Sequence, residues 1–335
     1  MPILTNEALN YCPEVPPILY HYCSMQSFLS IIENKNIWLS DASKTNDKTE
    51  LIWIFDKILQ VIDNVLKKHS NELPREAIKE TKMTANTLIH NFVENLAPIV
   101  QEAKNLLVCF SEEKDLLSQW RAYANNGQGV AIGFDASFLE TFASSTSHGF
   151  TKVIYDEKDI ETFLYYGMEN RLVNAIKANI DKNGNIINEI DLKIDIGIII
   201  YAIYQEGFVF KHKSFSEENE WRILKRFTSS NFNDSDGVDD YGYSEMLDGI
   251  FRSNDNFTKS FSRSELKFRC VDNDIRTYME LGFDNIKTEF IKEIIIGPKC
   301  EVNELDIRLL LAKNGYIEDY KSDKIKIIHS NAPYK

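Results

Sequence analysis

Two acids one residue apart, Glu218 and Glu220, precede Arg222 in the stretch SEENEWRIL. If that stretch is a strand, all three side chains share one face. Like charges at such spacing repel, and the arrangement leaves one carboxylate facing the arginine. One reading is a solvated strand edge with a surface ion pair, which contributes little to stability. The other is a carboxylate held in a cleft and oriented by Arg222, a group suited to steadying a developing positive charge. The pattern leaves both open.

Two further places have residue types that do chemistry. In Tyr20-His21-Tyr22-Cys23-Ser24 a histidine sits between two tyrosines at the end of an apolar run. It is either a structural histidine bonded to backbone or a ligand contact. In DLLSQWRAYANNGQG a short helix is expected to carry Ser118, Gln119, Trp120, Arg121 and Tyr123 just before a glycine turn. Gln119 and Tyr123, four apart, share a helical face and can point together into a cleft. Trp120 reads as core.

Several function classes fall away. The glycines Gly127, Gly129 and Gly133 of GQGVAIG lie before and within an expected strand. A dinucleotide loop needs them after a strand and opening a helix. A tight turn and a close backbone contact suit them better. No H-E-x-x-H, G-x-S-x-G or G-x-x-x-x-G-K-[ST] occurs, and the six histidines are scattered. The five cysteines are widely spaced without a C-x-x-C pair, so neither a disulfide framework nor a structural zinc is expected. The net charge of −13 argues against non-specific wrapping of nucleic acid, although a local basic groove stays compatible with it. The most apolar window, IGIIIYAI, is too short and too closely flanked by charge to span a bilayer. MPILTNEALN lacks the basic start and apolar centre of a secretory leader, so a cytoplasmic protein with no membrane partner is expected.

The elements that must position these residues follow from periodicity. ILYHYC reads as a strand, MQSFLSIIENK as a helix and NIWLS as a second strand. Two helices are expected over about 47–69 and 75–104, and further helix over 156–207 with a break at DKNGN. LLVCFS, VAIGFD, TKVIY, Glu220 to Phe227, KFRC, KEIIIGP and KIKIIHS supply strands, with a helix at 303–314. FVF, just before KHKSF, has a strand-like start. Strict βαβα alternation is missing, so the expected class is α+β: a single domain over 1–335 with a central mixed or antiparallel sheet and helical insertions at about 47–104 and 156–207.

The blocks LYHYCSMQSFLSIIENKNIWLSDASKTNDKTE, LLVCFSEEKDLLSQWRAYANNGQGVAIGFD, KHKSFSEENEWRIL and IKEIIIGP…IHSNAPYK resemble, nearly end to end, the bacterial domain-of-unknown-function family 2971, often met near defence and abortive-infection genes. The opening strand, helix and short strand also resemble the start of ADP-ribosyltransferase domains, particularly the DNA-modifying toxin type. That second resemblance implies a split sheet, NAD as substrate, no metal, and an acceptor that is nucleic acid or protein. It implies that His21 grips NAD and that Tyr123 or Ser118 holds the nicotinamide end, with Tyr22 and Gln119 beside them. Glu220 would be catalytic with Glu218 as the first acid, and Arg222 would hold Glu220 or meet a phosphate. Asn46, Asp47 and Glu50 would line the same mouth, or Asn46 would cap a helix. The expected activity is NAD-dependent ADP-ribosyl transfer by a toxin or anti-phage effector. The alternatives are an NAD glycohydrolase and a sensor of a nucleotide or phage component without chemistry.

Overall fold

The computed structural model describes residues 13–44, 53–94, 103–145, 149–228, 266–271, 273–283 and 290–334. β1 (Ile18–Cys23), α1 (Met25–Asn34) and β2 (Asn36–Asp41) open the fold as expected. Ser24 caps α1 by accepting from the Ser27 amide, and Lys35 ends it in the left-handed conformation. Phe28, Ile31 and Ile32 lie on its buried face.

Among the described residues ten strands form one mixed sheet: β1, β2, β3 (Ala103–Ser111), β4 (Val130–Asp135), β5 (Gly149–Lys152), β6 (Glu220–Thr228), β7 (Leu266–Val271), β8 (Asp274–Gly282), β9 (Ile291–Ile296) and β10 (Lys326–His329). The main order is β10-β9-β4-β1-β3-β2-β8-β7, with β6 on β3 and β5 on β6. The β9–β10 pair is parallel and the other ladders are antiparallel. The α+β class with a central mixed sheet is therefore the observed one.

The helices are α2 (Trp53–Lys68), α3 (Arg75–Glu94), α4 (Leu117–Ala122), α5 (Ala136–Ser145), α6 (Glu157–Ala178), α7 (Glu189–Glu206) and α8 (Glu304–Lys313). Helices α2, α3, α6 and α7 bury their apolar faces together and against Leu107 and Leu224 of the sheet. A second core fills the opposite face, where Leu19, Val108, Phe110, Ile132, Trp221 and Ile223 meet α1, α5 and α8. No helix among the described residues is long and apolar enough to cross a membrane.

The structure differs from the sequence expectation at one boundary, in one short segment and in two further elements. Ala103 already begins β3, so the helical stretch expected to reach 104 is too long. Phe208 and Val209 of FVF belong to a 3₁₀ turn, Gly207–Val209, and Phe210 after it makes an isolated bridge to Ile154; apolar β-branched and aromatic residues suit any buried backbone, and periodicity cannot separate the two over three residues. The helix α5 and the strand β8 were not anticipated.

Strand β3 explains how the site is built. All nine of its residues pair with β6 along one edge. Its other edge is shared: Ser111 pairs with Tyr20 of β1, whereas Leu106 and Leu107 pair with Asp41 and Ser40 of β2. Between these pairings β1 and β2 part, and Val108, Cys109 and Phe110 border the gap.

The NNGQG turn brings β4 alongside β1. Asn125, Asn126 and Gly127 all have positive φ, the conformation that Asn and Gly adopt most readily. A Cβ on Gly129 would lie 2.1 Å from the Cys23 carbonyl oxygen, a backbone atom that cannot swing away. Gly129→Ala is therefore expected to cost about 3 kcal/mol through overpacking, read as a fall in the urea midpoint with unchanged m-value.

Candidate functional site

The lysine of Phe210-Lys211-His212 is buried, and its ammonium reaches both acids of the E-x-E pair: Glu218 Oε2 at 2.5 Å and Glu220 Oε2 at 2.9 Å. Arg222 is buried behind Glu220. Its Nε donates to Glu220 Oε1 at 2.7 Å, a terminal nitrogen to Oε2 at 3.2 Å, and the other to the Phe208 carbonyl at 2.6 Å. Two carboxylates and two cations thus form one buried network.

Glu218 is not in the strand. It closes a 3₁₀ turn, Lys213–Glu218, and Asn219 follows with φ 42° and ψ 54°. That left-handed residue turns the chain so that both carboxylates still reach Lys211. Ser111 Oγ donates to the Glu218 carbonyl at 2.6 Å, and the Glu220 amide donates to the Tyr155 hydroxyl at 3.1 Å, which fixes both backbones.

The environments drive the two acids apart. Burial pushes the Glu220 carboxyl up, but the charges of Arg222 and then Lys211 pull harder, taking it from the ordinary 4.5 down to about 2. For Glu218, burial outweighs the attraction of Lys211, and the Glu220 charge adds to it, so its pKa is raised. The two carboxyls thus differ in direction, Glu220 held well below the ordinary glutamate value and Glu218 above it. Burial opposes the Lys211 charge, yet Glu220 foremost keeps its pKa raised.

The sign of the pH effect follows. A glutamate whose folded pKa is depressed stabilises the fold above its unfolded pKa and loses that stabilisation as pH falls through the folded value. For Glu220 the window runs from about pH 4.5 down to about 2. Urea midpoints are expected to fall across this window, and Glu220→Gln should flatten the fall.

His21 has the strand parity of Leu19 and Cys23, whereas Glu220 pairs with Ser111 and so shares the face of Tyr20 and Tyr22. In an unbroken sheet His21 and Glu220 would face opposite sides. The parting of β1 and β2 lets both line one hollow of about 190 Å³, together with Gln119, Tyr123 and Glu218. There His21 Nδ1 lies 2.9 Å from the Cys109 carbonyl, on the stretch of β3 between its pairings with β1 and β2. A carbonyl only accepts, so Nδ1 carries the proton. Burial lowers the His21 pKa against the smaller effect of that hydrogen bond, and the neutral ring holds its lone pair on Nε2.

The other expected site residues are sorted by the same geometry. Gln119 is buried in α4 and Tyr123 caps it, and both line the hollow. Burial of its hydroxyl raises the Tyr123 pKa, with the Lys211 charge opposing and the Glu218 charge adding. Tyr22 also borders the hollow, but its hydroxyl donates to the Glu113 carbonyl at 2.6 Å and accepts from the Leu116 amide at 3.1 Å. It positions the loop leading into α4. Trp120 is core, packed edge-on against Tyr22. Ser118 is not in the wall; its hydroxyl is buried with no hydrogen-bond partner among the described residues. Arg222 acts on Glu220 from behind rather than on the hollow. Asn46, Asp47 and Glu50 lie outside the described residues.

Sequence reasoning missed Lys211 and Tyr155, which hold Glu220, and Cys109, which lines the hollow with it. The only available signal for Lys211 was a lysine following an apolar run and preceding the acids. Among the described residues no three of His, Cys, Asp and Glu are grouped as a metal ion requires.

Beyond His21, Trp38 and Ser40, which belong to both walls, lies an adjoining hollow of about 400 Å³ lined by Asn36, Gln26 and Arg269. Together they fall within the usual range for small-ligand sites, about 300–1,000 Å³.

Neither the curated proteins nor the solved structures contain a match to this chain. The matched family segment contains Gln119, Tyr123, Lys211, Glu218, Glu220 and Arg222 but not His21, and is narrower than the nearly end-to-end resemblance read from the sequence blocks. Over residues 119–223 the chain is similar to the family described as "Protein of unknown function (DUF2971)".

Proposed function

We propose that this protein is an NAD-dependent ADP-ribosyltransferase-like enzyme, with NAD as substrate and a nucleic acid or protein as acceptor, in the role of a toxin or defence effector. The observation that carries the reading is the pairing, around one hollow, of a neutral His21 with the ionised Glu220 and the raised Glu218. The sequence resemblance supplies the reaction class, and the parting of β1 and β2 beside the hollow agrees with a split sheet.

Breaking the nicotinamide–ribose bond sends the bonding pair to the pyridinium nitrogen and leaves positive character on the ribose carbon, as in glycoside cleavage. Glu220, held by Arg222 and Lys211, is the preorganised anion for that charge. His21 accepts through Nε2 from a hydroxyl or amide of NAD, and Gln119 and Tyr123 complete the wall that orients it. The acceptor's nucleophilic atom then bonds to the ribose carbon. Its proton passes to Glu218, the stronger base of the two acids.

The test is incubation of the pure protein with labelled NAD and with DNA, RNA and protein acceptors. Label on an acceptor with release of nicotinamide is the expected result. Nicotinamide release with free ADP-ribose alone would make the protein a glycohydrolase, and no NAD turnover with any acceptor refutes the enzymatic reading.

A further inference from the structure

The hairpin of β7 and β8 carries two arginines that the carboxylate network does not use. Arg269 and Arg276 are directly opposite in the ladder. Like charges so placed are destabilising. Nearby Lys267 is paired with Glu280 at 2.5 Å. The Nε atoms of both are buried without a partner. A buried N–H without an acceptor is costly, and both arginines are otherwise part-exposed, so their remaining N–H groups stay open to a ligand.

Arg269 is also held in place. Its guanidinium carbon lies 5.2 Å from the Trp38 ring centre, and Trp38 packs against Tyr278 with centres 4.3 Å apart. Stacking on an aromatic ring fixes the guanidinium plane and leaves its N–H edge to bind planar or tetrahedral oxyanions, which arginine does better than lysine. Arg269 lines the larger hollow, where the Asn36 side-chain oxygen is a buried acceptor also without a partner. Because Trp38 and His21 belong to both walls, a ligand in one hollow can extend into the other. In a chain of net charge −13, an arginine in the wall of a hollow with a second arginine directly opposite it in the ladder marks a local anion site rather than part of a general basic surface.

We infer that Arg269, seated on Trp38 and backed by Arg276, binds the diphosphate of a nucleoside-diphosphate ligand, with Asn36 accepting from its sugar or base. Arg269 lines the hollow and donates charge-assisted hydrogen bonds to the diphosphate, while Arg276, directly opposite it, adds positive charge beside the site. The assignment rests on the proposed reading for its link to NAD, since it places the diphosphate of that substrate beyond His21. The binding claim itself concerns only the nucleoside diphosphate.

Calorimetric titration with ADP and with ADP-ribose tests it, using the full chain, Arg269→Gln and Arg276→Gln. The expected result is binding by the unaltered protein, weakened at least about tenfold in Arg269→Gln, which removes a charge-assisted contact. Arg276→Gln should weaken it less, and raising salt should weaken the unaltered protein most. Equal affinity in all three proteins, or no binding of either nucleotide, overturns the assignment. Binding of a single-stranded oligonucleotide but not of ADP, lost in Arg269→Gln, overturns it in favour of an acceptor-strand groove. Arginine-dependent ADP binding without any NAD turnover supports this site while refuting the enzymatic reading.

Discussion

Lys211→Met is expected to destabilise the protein by about 3–5 kcal/mol at neutral pH, the usual cost of removing one partner from a buried ion network. Lys211 donates to both Glu218 and Glu220, so its loss leaves two buried carboxylates facing Arg222 alone. Glu218, already raised by burial, would rise further and take up a proton, which limits the loss but does not abolish it. The double variant Lys211→Met, Glu218→Gln removes one cation together with one acid. It should recover more than half of the loss, because Glu220 keeps its two contacts to Arg222. Urea unfolding of the two single variants and the double closes the cycle. A Lys211→Met loss below about 1 kcal/mol would place the pair in the surface class, where exposed ion pairs contribute no more than that, and would remove the basis for separating the roles of the two acids.

Glu220→Gln is expected to lower NAD cleavage by about 10²–10³-fold, the scale found on removing one preorganised electrostatic group. The amide keeps the shape and can still accept from Arg222, but it has no charge to set against the developing cation. Glu218→Gln should act differently. Losing a general base costs about 10²-fold or more and removes the acid limb of the rate profile, the fall in rate as pH drops and Glu218 takes up a proton. Folding must be checked separately, since Glu220 is also the main acceptor of the buried network; circular dichroism at the assay temperature does so. Full cleavage by a folded Glu220→Gln variant would exclude a catalytic Glu220.

Much of the fold was legible because its signals are local. The β1-α1-β2 opening follows from alternation in ILYHYC and NIWLS around helical spacing at Phe28, Ile31 and Ile32. The strand at Glu220, the NNGQG turn and the close approach at Gly129 were readable for the same reason. Gln119 and Tyr123 could be placed together because four residues of helix return to the same face. Where the signal was weak, in FVF and the stretch before Asn105, three-residue runs or an undivided helical pattern carried too little period to decide.

The sequence by itself determined the segments and put chemically able residues on them; it did not determine which of those residues meet. Alternation along the strands would have placed His21 and Glu220 on opposite faces, and only the parting of β1 and β2 from the shared edge of β3 brings them to one hollow. Lys211 reaches the E-x-E pair through a 3₁₀ turn and one left-handed asparagine, and Arg269 reaches Trp38 across strands far apart in the chain. Residue preferences act over a few positions, whereas strand order and register are settled by burying two cores at once, and that settlement is what placed the charges.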